Sequence, residues 1–402
     1  MINRVVRIAS FACFFMFNAF AGLQLTPQYL LEPISPILST ASADSTTTRF
    51  RVTDYGAKCD DIADDSSAIA RAIRAAGKQC RVLPDQSVVN QAYISLPFAH
   101  TCKVSEPLSL VGSCVGIESN GAALDFRSMP TSPPGSPVAA LTIISAHPAS
   151  PYGDNVVTWD GLHLMGPGRA TNTIGILLKT GQAVFQRPNI HGFGVGVQLG
   201  DYAFVDSFTE PSIWNARIGI YCPPGQKDAG ENITIEQGAI FNSGIAIDNQ
   251  GCGITADGTS FDALSGSAII DGTKGAGDSR CVNCYIEYFA PISVPIFQLS
   301  GCNAWEFIEF EGGHILSDYG KSANVQALIS NDPKGLCGGK GSWAYFSDVF
   351  FGNLTATGKC DAGNGAACII GRNAGQVRVT HSTSGAGGGA MWNVNIPDQR
   401  GW

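Results

Sequence analysis

The chain has 402 residues, a formal net charge of −8, 14% charged residues and 48 glycines. That acidic balance speaks against nucleic acid as a partner and disfavours a strongly polyanionic substrate. Few charges and many glycines fit short strands joined by tight turns, and fit a helical protein poorly. Arg4 and Arg7 precede an apolar run, Ile8 to Phe20, and Ala19-Phe20-Ala21 is an A-x-A-like cleavage site. Residues 1–21 therefore read as an export signal, too short for a membrane span, and residues 22–49, rich in Pro, Ser and Thr, as a linker. The protein is expected to be secreted or periplasmic, with no membrane association after cleavage. Of 13 cysteines only Cys13 lies in the signal. The even remainder points to disulfides formed in an oxidising compartment. Cys102 with Cys114, and Cys337 with Cys360 or Cys368, are the expected local pairs. Cys281-Val-Asn-Cys284 reads as structural, since no second Cys-x-x-Cys and no histidine cluster accompanies it.

The first element of the mature chain is a short strand, Phe50 to Thr53, turning at Tyr55-Gly56-Ala57. An acidic loop follows, and then a helix with Ala68, Ile69, Ala72, Ile73 and Ala76 at helical spacing and Arg71 and Arg74 opposite. Asp64 or Asp65 is placed to cap it, and Gly77 to stop it. Asp54-Tyr55-Gly56-Ala57 and Asp64-Asp65, ahead of an Ala/Ile helix, resemble the opening segment of the pectate-lyase-like superfamily. The resemblance implies an all-β, right-handed single-stranded parallel β-helix, a pectin-lyase-like solenoid with a short N-terminal capping helix. The chain departs from the pattern at Cys59-Asp60-Asp61, where the superfamily has a Gly-Asp-Gly turn. These residues are structural and say little about activity.

Downstream, apolar anchors recur about 25 residues apart at Leu164, Ile190, Ile213, Ile240, Phe261, Ile286 and Ile315. A second apolar strand follows many of them, as in Val195-Gly-Val197 and Ile218-Gly-Ile220. Asn215 and Asn242 each stand two residues after an anchor and suggest a stacked turn. The solenoid is expected over residues 50–384, with a glycine-rich tail over 385–402. Such a solenoid grows along one axis and need not divide into domains.

Aligning coils on their anchors makes two acidic rows. Glu236 and Asp257 fall four residues before adjacent anchors, and Asp262 and Glu287 one residue after. Stacked carboxylates repel, and one of them then keeps its proton, as a general acid requires. These four are the catalytic candidates. A separation near 5 Å suits a retaining glycosidase, and a wider diagonal pair an inverting one. Sugar rings pack on aromatic faces, so Trp214, in the row of Asp262, is the first candidate for substrate binding. Tyr285, Tyr288 and Trp305 lie beside the same coils, and Glu210, Arg187 and His314 complete the substrate-binding set. Glu309, Glu311 and His314 form a further acidic cluster, while His163 and His191 read as structural. Uronate elimination needs a base and a cation, either calcium or a basic side chain. Arg187, Arg217, Lys227 and Arg280 are the basic candidates, and they share no row. Hydrolysis of a polysaccharide through a carboxylate pair is thus placed first, needing no metal or other cofactor. A polysaccharide lyase, with calcium as a candidate ion, and a non-catalytic polysaccharide-binding solenoid stay open, as do monomer and homotrimer.

Overall fold

A computed structural model describes residues 48–384 outside the stretches 80, 83–87, 90, 112–113, 132–135, 146–157, 273–277, 300–305, 318–322, 333, 335–341, 362–367, 373–376 and 381–382. The expected signal, nearly all of the linker, the tail, Trp305 and Cys337 lie outside the described residues.

Short strands return the chain to the same three sheets on every coil. Sheet 1 has 12 strands, from Thr48–Arg51 to Val377–Thr380. Sheet 2 has 12, from Asp60–Asp64 to Thr383–Ser384, and sheet 3 has 10, from Leu108–Val111 to Ile369–Ile370. The chain visits sheets 1, 2 and 3 in turn, and neighbouring strands pair in parallel. This is the right-handed parallel β-helix that the opening segment implied.

The core is a set of stacks running along the axis. In sheet 2 the anchors Leu164, Ile190, Ile213, Ile240, Phe261, Ile286 and Ile315 are Cα partners on successive rungs. All seven are fully buried. Burying one such side chain contributes about 1.5–3 kcal/mol. Sheet 1 stacks Trp159, Phe185 and Phe208 inward in the same way, the two phenylalanine rings 4.9 Å apart. Sheet 3 contributes Ile176, Val197, Ile220 and Ile247. Sheets 2 and 3 approach closely, which is why glycine stands between the apolar residues of sheet 3. A Cβ on Gly196 would come within 2.7 Å of Ile213 Cγ2, and one on Gly219 within 2.5 Å of Ile240 Cγ2.

Left-handed residues make the corners. Between sheets 1 and 2, Arg187, Glu210, Gln237 and Asn283 have φ between +51° and +55°. Each N–H donates to a carbonyl of the next coil, as Glu210 does to Glu236 and Gln237 to Asp257. Between sheets 2 and 3 stand Asn215 (φ +51°) and Asn242 (φ +49°), the stacked turn expected from their spacing. Asparagine tolerates this conformation better than most residues do.

At the N-terminal end the first strand is Thr48–Arg51, and Val52–Tyr55 forms a 3-10 turn where an extended strand was expected. Cys59 (φ +47°) and Asp61 (φ +62°) take left-handed conformations without being glycine, at roughly 1–2 kcal/mol each. The Cys59–Cys102 disulfide holds this segment. So do Lys58 N–H and Cys59 N–H, which donate to Asp65 at 2.7 and 2.9 Å. Asp65 occupies the N-cap position of the helix Ser66–Gly77, but its carboxylate is spent on that turn. Asp64 instead accepts from Ser66 N–H and from the Ser66 and Ser105 hydroxyls. Burial opposes ionisation of Asp64, yet the Ser105 and Ser66 hydrogen bonds prevail and pull its carboxyl down to about 2. The helix lays Ala68, Ile69, Ala72, Ile73 and Ala76 on the first coil's strands and closes the core there. Gly77 ends the helix but is no left-handed stop: Lys78 continues in right-handed geometry and its N–H returns to Arg74.

The disulfides correct two expected pairings. Cys102 bonds Cys59 rather than Cys114, because the two cysteines sit on adjacent rungs of the first coils. Cys360 bonds Cys368, which leaves neither for Cys337. Cys281 and Cys284, both buried, bond each other, and Cys222–Cys252 adds another disulfide.

Candidate functional site

Sheet 2 strands are mostly three residues long, with the middle residue inward. The two flanking residues therefore face out and stack into two surface rows. The row one after the anchor runs Met165, His191, Trp214, Phe241, Asp262 and Glu287, and ends at the buried Leu316. The row one before it runs His163, Asn189, Ser212, Ala239, Ser260, Tyr285 and His314.

Parallel stacking aligns the aromatic rings. His191 and Trp214 are 4.1 Å apart and within 11° of parallel, and Trp214 and Phe241 are 5.9 Å apart and within 10°. The Trp214 indole N–H donates to Asn189 Oδ1 at 3.1 Å, which fixes the ring's orientation. Together they form a half-buried aromatic strip that ends at Asp262 and Glu287.

Asp262 and Glu287 are Cα partners on adjacent rungs, so the sequence register was right here. Their strands lie about 4.8 Å apart. Ser260 Oγ donates to Asp262 Oδ2 at 2.7 Å, while Oδ1 is shielded from water with no hydrogen-bond partner among the described residues. Burial raises the Asp262 carboxyl pKa, and the Ser260 bond only partly offsets this. The Tyr285 hydroxyl donates to Glu287 Oε2 at 3.3 Å, and the Tyr285 and His314 rings lie 5.8 Å apart. The structure thus brings Trp214, Asp262, Tyr285, Glu287 and His314 onto one face.

The remaining candidates lie elsewhere. Glu236 and Asp257 are Cα partners, as expected, but they are the exposed last residues of two sheet 1 strands, across the Gly258 corner from Asp262. Glu210 and Arg187 occupy that same kind of corner on earlier coils. Arg187 is tied to Asp160 at 2.5 Å, beside a cleft of about 470 Å³ that Tyr93, Glu118 and Gln186 also line. Glu309 is bound by Arg280 at 2.7 Å on sheet 1, so it does not join His314 on sheet 2. Tyr288 is wholly buried and donates to Gly266 O, which makes it core rather than platform.

Three residues were missed as functional candidates. Phe241 and His191 stand one after their anchors, and that spacing alone was enough to place them in the Trp214 row. Arg169 is the third. Its guanidinium donates to Asn242 O (3.4 Å) and Ser265 Oγ (3.2 Å) on later coils, along the edge of the aromatic strip. No sequence signal links it to those coils. His163 and His191, read as structural, face outward with their Nε2 atoms 3.3 Å apart. Burial lowers both pKa values, that of His191 to about 4 with the neighbouring His163 and Arg127 adding to the effect.

No protein-family profile matches the chain, and no curated protein matches it in sequence. Solved structures do match in shape. The enzymatically active domain of bacteriophage CBA120 tailspike protein 4 overlays 83% of this chain and 44% of its own at a TM-score of 0.59 and 12% identity. Geobacillus virus E2 ORF18 overlays 84% of this chain and 60% of its own at 0.46 and 13%. The A-module of the Azotobacter vinelandii mannuronan C-5 epimerase AlgE4 overlays 84% and 100% at 0.38 and 13%. The tailspike likeness carries the fold alone, and this chain spans less than half of that tailspike's length. The class defined at this point is the parallel β-helix.

Proposed function

We propose that the chain is an exported glycoside hydrolase that binds a polysaccharide along the outer face of sheet 2 and cleaves it at Asp262 and Glu287. The observation that carries this reading is the continuity of one outward row. His191, Trp214 and Phe241 offer a strip of parallel rings, and the next two rungs offer the carboxylates. The stacked rings leave apolar edges along which the C–H groups of a sugar chain can lie, which guides a glycosidic bond onto the acid pair. Asp262, with one oxygen shielded from water, holds a proton and gives it to the leaving glycosidic oxygen. Glu287, oriented by the Tyr285 hydroxyl, attacks the anomeric carbon; water then releases the sugar with Asp262 acting as base. Rungs about 4.8 Å apart are compatible with the short, retaining arrangement, whose carboxyl groups lie about 5–5.5 Å apart. Disulfides among the described residues fit assembly in an oxidising compartment. The tailspike that shares the fold is described as enzymatically active, which accords with a reaction carried on this scaffold.

Elimination is the second reading, and Arg169 favours it. A guanidinium at the edge of the aromatic strip can neutralise the carboxylate of a uronate. The test is a polysaccharide panel read for both reducing ends and the absorbance of unsaturated uronates. Reducing ends alone, with the anomeric configuration retained by NMR, are expected. Both signals together mean a lyase, inverted product removes the Asp262–Glu287 nucleophile pair, and a bound polymer with neither signal leaves a binding module.

A further inference from the structure

From the sequence no residue is singled out as a metal ligand, and calcium enters only with the lyase reading. We propose that His163 and His191 form a two-histidine site for a divalent transition cation of the zinc type, at the end of the aromatic strip remote from Asp262. The two residues stand on adjacent rungs, one before and one after their anchors, Leu164 and Ile190. Their ring centroids are 5.4 Å apart and their planes differ by 42°, yet their Nε2 atoms are only 3.3 Å apart. The rings therefore converge edge-first on a common point instead of stacking. That separation lets one neutral ring donate an N–H to the other when no ion is present. It also suits two nitrogens that share a tetrahedral zinc: at Zn–N of about 2.0–2.1 Å the ligands lie about 3.3–3.4 Å apart.

The surroundings keep the pair in place and leave room on the metal. His191 is stacked on Trp214 at 4.1 Å, so its ring is held before any ion arrives. Asp125, nearby on the preceding rung, is taken by Arg127 in two hydrogen bonds of 2.9 and 2.7 Å. Among the described residues no third His, Cys, Asp or Glu atom completes a close ligand cluster here. The protein thus supplies two ligands, and water or a ligand oxygen supplies the rest. Since His191 lies against Trp214, a sugar hydroxyl or carboxylate oxygen held on the strip is suited to fill one of those positions. That last point rests on the sugar-binding reading, whereas the ion site does not.

The experiment uses the full chain, freed of metal by dialysis against chelator and titrated with zinc chloride by calorimetry, without sugar. One zinc per chain is expected, lost in both His163→Ala and His191→Phe. The second substitution keeps a ring against Trp214, and circular dichroism shows whether each variant folds. Cobalt added to the metal-free protein should give the visible absorption of a tetrahedral ion, absent from both variants. No zinc uptake by the parent protein, or uptake unchanged in the two folded variants, overturns the site. The outcome is separable from the hydrolase reading, because binding is measured with no substrate and no turnover.

Discussion

Two faces of this solenoid each carry a pair of carboxylates on adjacent rungs, and they differ in what surrounds the pair. On sheet 1, Glu236 and Asp257 end their strands in solvent, with Thr209 and Val282 as the neighbours in their row. On sheet 2, Asp262 and Glu287 continue a strip of aromatic rings, are half-buried, and have Ser260 and Tyr285 as hydrogen-bond donors. The backbone spacing is the same in both cases. Proximity of two acids is therefore an automatic product of the fold, and chemistry depends on burial and on a surface that can hold a substrate beside them. Sheet 1 sharpens the point with its own aromatic stack, Phe307 on Trp343 at 4.5 Å, which does not lead into the Glu236–Asp257 pair.

The largest expected effect tests this contrast directly. Asp262→Asn removes the proposed proton donor and should lower kcat by about 10²–10⁴-fold, the usual worth of a general acid. Asp257→Asn and Glu236→Gln should leave kcat within about twofold on the same substrate, since exposed surface changes seldom matter. Equal losses on both faces would break the comparison.

A smaller effect separates the two aromatic stacks. Trp214→Ala should weaken polysaccharide binding by about 2 kcal/mol, or about thirtyfold in Kd, as the loss of a well-packed aromatic anchor does. Trp343→Ala should leave that Kd unchanged, because its stack lies on the other sheet. A Kd that follows Trp343 and ignores Trp214 would move the binding face to sheet 1.

The anchors were legible in the sequence because an interior residue must be apolar on every coil, whatever the loops between coils do. Leu164 through Ile315 hold their register across unequal spacings for that reason. The row containing Trp214, Asp262 and Glu287 was legible too, because the residue after an inward anchor must face out. The same rule puts His191 and Phe241 there, although His191 reads as structural from its place beside an apolar anchor and Phe241 was not singled out. What sequence could not rank was Asp257 against Asp262. Five positions apart on one coil, the two differ only in which side of the Gly258 corner they occupy and in whether an oxygen is covered. The disulfides were hidden for a related reason: Cys59 and Cys102 are 43 residues apart in sequence and neighbours only after coiling. Arg169 is the extreme case, since it starts on the coil of Leu164 and hydrogen-bonds next to Phe241 and beyond Phe261.

The smallest expected effect asks whether Asp262 is strained for its role. Burial lifts its folded-state pKa above the unfolded value of about 3.9. Between those two values the folded protein holds more protons than the unfolded chain, so stability declines as pH rises through that window. Above the folded pKa the loss is complete. Asparagine at 262 has no proton to lose, so the variant should gain stability relative to the parent as pH climbs from 3 to 7. Because the side chain is only half-buried and solvent screens it, the gain should stay below about 1 kcal/mol. Asp257 has no shielded oxygen to relieve, so Asp257→Asn should bring no such gain. Urea melts of the three proteins at both pH values measure this. A variant that loses activity while gaining stability marks Asp262 as a group held against its own preference; a gain that appears equally at Asp257 would mean that the two faces do not differ in the way their surroundings suggest.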